Sequence, residues 1–220
     1  MSRNILGMYT NYFDVEQQSE YSKGELLIRT FFGWFYIGIP HGLFFAIFGF
    51  ISAILSVVAW FSILINEEYP EKLFAFQVKM LRWRTRFYAS IFNLVDGYPA
   101  IGPEGEHTHI HVNLRYPEQS SRTILLMRTF LGWLYVLIPH GFILFFRVII
   151  GFFLTIVAFI AVLLHGDYPQ SIHRFNVETM RWAFRVAAYM LMLSDDYPPF
   201  NGKEMSYLQE GEAEENLQLV

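Results

Sequence analysis

The chain has 220 residues, of which 54% are hydrophobic and 19% aromatic, and this leaves too little polar surface to coat a water-soluble fold of that size. A formal net charge of −4 offers no basic field for nucleic acid, and with no cysteine the chain has no disulfide, thiolate metal site, cysteine nucleophile or cysteine-linked lipid anchor. The composition points to a protein whose solvent is largely a bilayer.

Residues 1–25 form a charged N-terminal segment, expected on the cytoplasmic side, with no short apolar run and cleavage site of the signal-peptide kind. Within it, residues 7–15 are aromatic and polar and offer a degenerate strand. From Leu26 a unit begins that recurs without a gap: residues 26–99 laid on 125–198 agree at 29 of 74 positions. The first membrane repeat therefore covers 26–99 and the second 125–200, with a linker at 100–124 and an acidic, flexible tail at 201–220.

Each repeat opens on a long apolar stretch, residues 26–65 and 125–164, in which the charged or imidazole side chains are Arg29 and His41, then Arg128, His140 and Arg147. A continuous helix of that length would run about 60 Å, twice the hydrocarbon thickness, so a break is expected. Ile39-Pro40-His41-Gly42 and Ile138-Pro139-His140-Gly141 supply one, because proline removes a donor and glycine tolerates a turn. The sequence thus predicts two helical hairpins with Pro40, His41, Pro139 and His140 at their turns, either crossing the bilayer or re-entering it. Apart from Arg29, Arg128 and Arg147, every lysine and arginine falls before, between or after the apolar stretches. Hairpins put all those basic segments, and both termini, on the cytoplasmic side.

Residues 71–95 and 170–194 are amphipathic at helical spacing, with rings on one face and basic side chains on another. They are expected flat at headgroup level, with Lys79, Arg82, Arg86, Arg174, Arg181 and Arg185 on anionic phospholipids, or packed on the hairpins instead. Between the repeats, residues 107–116 alternate as a strand. Its His107, His109 and His111 project to one face, either as a weak divalent-metal candidate or as plain polar positions of an exposed strand. His41 and His140 are read as a ligand or proton site at the apex, or as caps for freed carbonyls. Arg147 is a functional candidate by its place inside an apolar stretch, or snorkels to the far headgroups. Arg29 and Arg128 are expected to pair with Asp96 and Asp195 at the ends of their modules.

Taken together, Ile-Pro-His, Tyr69-Pro70 and Tyr168-Pro169, Phe76 and Phe175, Arg82-Trp83 with Arg86 and Arg181-Trp182 with Arg185, and the closing Asp96-Gly97-Tyr98-Pro99 and Asp195-Asp196-Tyr197-Pro198-Pro199-Phe200 resemble a bacterial membrane-protein family catalogued as a domain of unknown function. Tyr116-Pro117-Glu118 matches the Tyr-Pro-Glu that closes the opening strand in that family, whereas Phe13-Asp14-Val15-Glu16 lacks the proline and copy one ends Tyr98-Pro99-Ala100. The resemblance implies a membrane protein of bacterial source and no activity.

The expected fold is mainly α and integral to the membrane, two tandem repeats of a hydrophobic hairpin and a basic interfacial helix, with a small cytoplasmic β element. No phosphate loop, nucleophile elbow or zinc-protease pattern is present, and no acidic residue falls inside either apolar stretch. The function expected is a non-enzymatic, cofactor-free accessory or scaffold subunit of a bacterial inner-membrane complex, multi-pass, bound to other subunits or to copies of itself. The competing class is a small transporter, channel or lipid-handling protein built from parallel repeats. A weaker third is a metal-responsive sensor using the histidine strand.

Overall fold

The computed structural model describes residues 11–204 and has four helices and a two-stranded sheet in two similar halves. Residues 7–10 of the N-terminal strand expectation, and the acidic tail from 205 onward, lie outside the described residues. Strand β1 (Tyr12–Val15) is followed by helix α1 (Lys23–Asn66) and helix α2 (Glu71–Ile91). Strand β2 (Ile110–Asn113), helix α3 (Arg122–His165) and helix α4 (Gln170–Met190) repeat the order.

The expected hairpins do not form. α1 and α3 are each one uninterrupted helical run of 44 residues, long and apolar enough to cross a membrane. Pro40 and Pro139 sit in the first turn of an α-helical segment that follows a five-residue π-helical stretch, Trp34–Gly38 and Trp133–Leu137. The π register carries the chain into the proline, with the Ile39 N–H donating to the Trp34 carbonyl five residues back and Ile138 to Trp133. Proline still leaves the carbonyl four residues before it without a helical donor. Tyr98 supplies one, its hydroxyl donating to the Tyr36 carbonyl at 3.1 Å, and Tyr197 does the same for Tyr135 at 2.9 Å. The helix goes through because the closing Tyr-Pro segment of the same repeat caps it.

Both long helices start on a serine. The Ser22 hydroxyl accepts from the Glu25 N–H at 3.3 Å, and Ser121 accepts from Ile124 at 3.3 Å. Each then runs antiparallel to the amphipathic helix that follows it. In the first half the pairs Arg29–Asn93, His41–Trp83 and Ser52–Gln77 fall in order along α1 and in reverse along α2 and the residues just after it. The Arg29–Asp96 and Arg128–Asp195 pairs expected from the sequence are present at 3.0 and 2.8 Å.

The halves are interlocked rather than merely adjacent. β1 pairs with β2 antiparallel, and Phe13 lies opposite Val112, its own equivalent under the 99-residue shift. A local two-fold axis therefore passes through that pair. β2 is held by α2 of the first half, through Arg82 Nε to the Val112 carbonyl at 2.9 Å. β1 is held by α4 of the second, through Arg181 Nε to the Phe13 carbonyl at 2.8 Å. The Tyr21 N–H reaches the Gly166 carbonyl at the end of α3, and the Ser120 N–H the Glu67 carbonyl at the end of α1. α2 and α4 thus form a middle tier between the sheet and the long helices, with a shared core that includes Leu26, Leu94, Leu125 and Leu193.

One position separates the halves. Asn93 and Met192 both follow the amphipathic helices with left-handed φ, 55° and 66°. Asparagine tolerates that conformation, and its Oδ1 accepts from Arg29 Nε at 2.6 Å. Methionine does neither, and the buried Arg128 Nε has no partner. Met192→Asn is expected to raise stability by about 1 kcal/mol despite the lost apolar burial, and Asn93→Met to lower it by about 2–3 kcal/mol, read by thermal unfolding in detergent.

Candidate functional site

The residues of the repeated motifs converge, in each half, on one buried cluster. An indole N–H can only donate, so Trp83 Nε1, 3.0 Å from His41 Nδ1, fixes the proton of His41 on Nε2. That nitrogen donates to the Pro99 carbonyl at 3.0 Å. In the second half Trp182 donates to His140 Nδ1 at 2.8 Å. His140 Nε2 then meets the Tyr197 hydroxyl at 3.0 Å, and that hydroxyl donates onward to Tyr135. Both histidines are fully buried with both ring nitrogens committed. They do not line a turn; they tie the amphipathic helix and the closing loop to the long helix. Tyr197→Phe breaks two hydrogen bonds and Tyr98→Phe one, so losses of about 2 and 1 kcal/mol are expected in the same unfolding measurement.

The arginines expected on headgroups are mostly spent inside the protein. Arg82 and Arg181 hold the two strands, Arg181 also bonding the Gly202 carbonyl at 2.8 Å and Asp14 at 3.2 Å. Arg86 donates to the Gly102 carbonyl at 2.6 Å, and Arg185 to the Lys203 carbonyl at 2.9 Å. Burial and the nearby Arg82 draw Arg86 down to about 10, so it stays charged at neutral pH. Lys79 pairs with Glu104 at 2.8 Å. Of the six, only the exposed Arg174 has no hydrogen bond or ion pair among the described residues. The helical period marked a basic face correctly, but that face meets the sheet and the closing loops.

Arg147 does not snorkel outward. It turns onto α4, with Nε donating to the Thr179 hydroxyl at 3.0 Å and Nη2 to the Phe175 carbonyl at 3.3 Å. Glu178 lies 3.6 Å away, and the guanidinium stacks 4.4 Å above the Phe175 ring. The histidine triple is not assembled either. Only residues 110–113 are strand, so His107 and His109 lie in the turn before it. His107 Nε2 reaches the Asp96 carbonyl at 3.1 Å, while His111 lies 3.4 Å from Glu16. Among the described residues no group of three His, Asp or Glu side chains is placed to hold a metal ion.

Two features escaped the motif reading. The first is His173 on α4, buried where copy one has Phe74, with no partner for Nε2. Burial draws its imidazole down to about 4, against the opposing pull of Asp14. The unfolded chain therefore takes up a proton below pH ~6.5 that the folded chain refuses until pH ~4, and stability falls across that window as pH falls. His173→Phe should remove that slope, gaining about 2 kcal/mol on wild type between pH 7 and 5 in parallel unfolding titrations.

The second is a cavity of about 480 Å³ bounded by α2, α3 and α4, with Arg84, Tyr88, Arg147, Gly151, Ala183 and Ala187 in its wall. Leu81 and its equivalent Met180 both line it, so it straddles the junction of the halves, while the long-helix side comes from α3 alone. Nothing in the spacing of either copy marks it. Comparison of the copies position by position does, because several of its lining residues differ in character between them.

The geometry defines a class: a tandem-duplicated helical protein with two helices long and apolar enough to cross a membrane, closed by paired proline–histidine–tryptophan–tyrosine clusters. The chain belongs to the family described as a domain of unknown function (DUF4389), whose model matches residues 27–101 and again 122–201. No curated protein matches the chain, and no solved structure does.

Proposed function

We propose that this protein is a non-enzymatic accessory or scaffold subunit of a larger assembly in the bacterial inner membrane, embedded through α1 and α3. The observation that carries the reading is the outer surface of those helices. Phe31, Phe50, Phe142 and Leu164 are each more than 60% exposed, four of thirteen large hydrophobic side chains above that level among the described residues. Each such side chain left in water forfeits about 1.5–3 kcal/mol, so this surface calls for lipid or partner helices. The scaffold reading draws support from the polar interior, where His41, His140 and most arginines are consumed by internal hydrogen bonds.

Each long helix measures about 66 Å, more than twice the ~30 Å hydrocarbon core. The amphipathic helix behind it retraces its path in the opposite direction and carries exposed Lys72 and Arg84. An upright crossing would carry that charged helix back through the bilayer. We therefore place α1 and α3 along the cytoplasmic leaflet rather than across the bilayer, with α2 and α4 at headgroup level and the sheet and termini cytoplasmic. Exposed Lys72 and Arg174 remain for anionic phospholipids.

The chain has no native cysteine, so single-cysteine variants report cleanly. Glu20→Cys and Glu68→Cys flank α1, and both should react with an impermeant maleimide only from the cytoplasmic face of sealed vesicles. Labelling of the two from opposite faces would refute this placement. For the scaffold role, crosslinking in native membranes followed by mild-detergent purification should retain a stoichiometric partner subunit or further copies of this chain. Recovery of a lone monodisperse protomer would refute it.

A further inference from the structure

We propose that the cavity between α2, α3 and α4 is a binding site for a single membrane phospholipid with an anionic headgroup, its phosphate on Arg84 and Arg147 and an acyl chain along the apolar wall. The inference rests on the membrane reading above and adds a specific ligand site to it. Four observations support it.

First, the cavity is amphipathic in the way such a ligand requires. Its wall is largely apolar, from Phe13, Leu81, Val148, Met180 and Phe184. At about 480 Å³ it is large enough for a good part of an acyl chain but not for a second helix. Secondly, Arg84 has no hydrogen bond or ion pair among the described residues, unlike the buried arginines of the same helix. A guanidinium at the wall of an apolar cavity, unspent on the protein, is a phosphate receptor by geometry and charge.

Thirdly, Arg147 is held in place with donor capacity to spare. Nε and Nη2 are used on Thr179 and Phe175, which leaves Nη1 with no partner among the described residues. Glu178 offsets part of its charge from 3.6 Å, so the net positive charge of the cavity comes mainly from Arg84. Two guanidinium groups against one carboxylate suit a single phosphodiester.

Fourthly, the duplicated halves part company here. Arg147 stands where copy one has Phe48, and Ala183 and Ala187 stand where copy one has Arg84 and Tyr88. Gly151 replaces Ser52, and a Cβ there would come within 2.6 Å of Asn176 Oδ1. Small residues on α4 open space beside α2, while one arginine from each half brings charge to it. The result is a cavity near the junction whose lining the local two-fold does not repeat.

The test is native mass spectrometry of the full chain in a charge-reducing detergent, titrated with phosphatidylglycerol or phosphatidylethanolamine. One phosphatidylglycerol should persist under activation that strips annular lipid, with phosphatidylethanolamine bound at least tenfold more weakly. Arg84→Gln is expected to weaken the retained lipid about tenfold and Arg147→Gln somewhat less, since its charge is partly offset. Ala187→Trp fills the cavity from the wall and should abolish the retained molecule without changing weak annular binding. Thermal unfolding of each variant guards against misfolding; if Arg147→Gln fails to fold, Arg84→Gln and Ala187→Trp decide the matter. Equal retention of both lipids, loss of all lipid from wild type, or unchanged binding in Ala187→Trp would each overturn the proposal. Free inorganic phosphate at millimolar concentration should not compete; displacement by it would assign the site to a soluble phosphate instead. None of these readouts involves a partner subunit, so failure of the scaffold role would leave this result standing.

Discussion

A proline inside a helix strands a carbonyl, and in an apolar setting a stranded carbonyl costs several kcal/mol unless some other donor meets it. The architecture of each half follows from how that debt is met. Pro40 and Pro139 leave the carbonyls of Tyr36 and Tyr135 open, and Tyr98 and Tyr197 close them. To deliver those hydroxyls the chain must turn back after the amphipathic helix and lie along the long one. The His41–Pro99 and His140–Tyr197 bonds and the buried Arg–Asp pairs pin the same segment to either side. Long helix, amphipathic helix and closing loop are therefore one cooperative unit. An intact α1 without its closing loop would retain an unpaired carbonyl and a buried arginine with no anion.

The two units are joined by exchange. Each lead strand crosses to the other half, where an arginine of the amphipathic helix takes its backbone carbonyl. The residue before each N-capping serine donates to the carbonyl that ends the other long helix. These contacts obey the local two-fold that passes between Phe13 and Val112. A single repeat would have an edge strand with no partner, a buried arginine facing nothing, and an open helix end. The duplication is thus part of the fold, and the linker between the repeats is as structural as the repeats.

Much of this was written in the sequence in a form that local rules could read. The 99-residue repeat, the amphipathic helices, the short strand with its degenerate partner and the Arg–Asp ties all follow from period, spacing and charge. The failures share one physical cause, which is that a residue's role was assigned from its own segment. Ile-Pro-His-Gly looks like a turn when the donor 58 residues downstream is not considered. The basic face of α2 looks like a headgroup surface until β2 and the Gly102 loop arrive to take Arg82 and Arg86. Three histidines at alternate positions look like a metal face, but the strand begins only at Ile110, and His107 and His111 turn to separate partners, the Asp96 carbonyl and Glu16. Long-range acceptors are invisible to spacing. The recurrence of Tyr98 and Tyr197 is plain in the sequence, but the return of their hydroxyls to the carbonyls of Tyr36 and Tyr135 is not.

The same coupling explains where the two copies are free to differ. A lock residue such as His41 has partners on two other segments, so a lone change strands buried polar groups, and the copies match at this position. Positions facing the gap between α2 and α4 have no such obligation. Unconstrained positions on an apolar wall would be expected to exchange one hydrophobic side chain for another, as Leu81 and Met180 do. Phe48 and Arg147 break that expectation, since a guanidinium beside an apolar cavity carries a desolvation cost that a phenylalanine does not. Arg147 offsets it with Thr179, Phe175 and Glu178, a set of contacts assembled for that one side chain. A charge that is costly, positioned and confined to one copy is the kind of local inconsistency that stability does not explain and ligand recognition does.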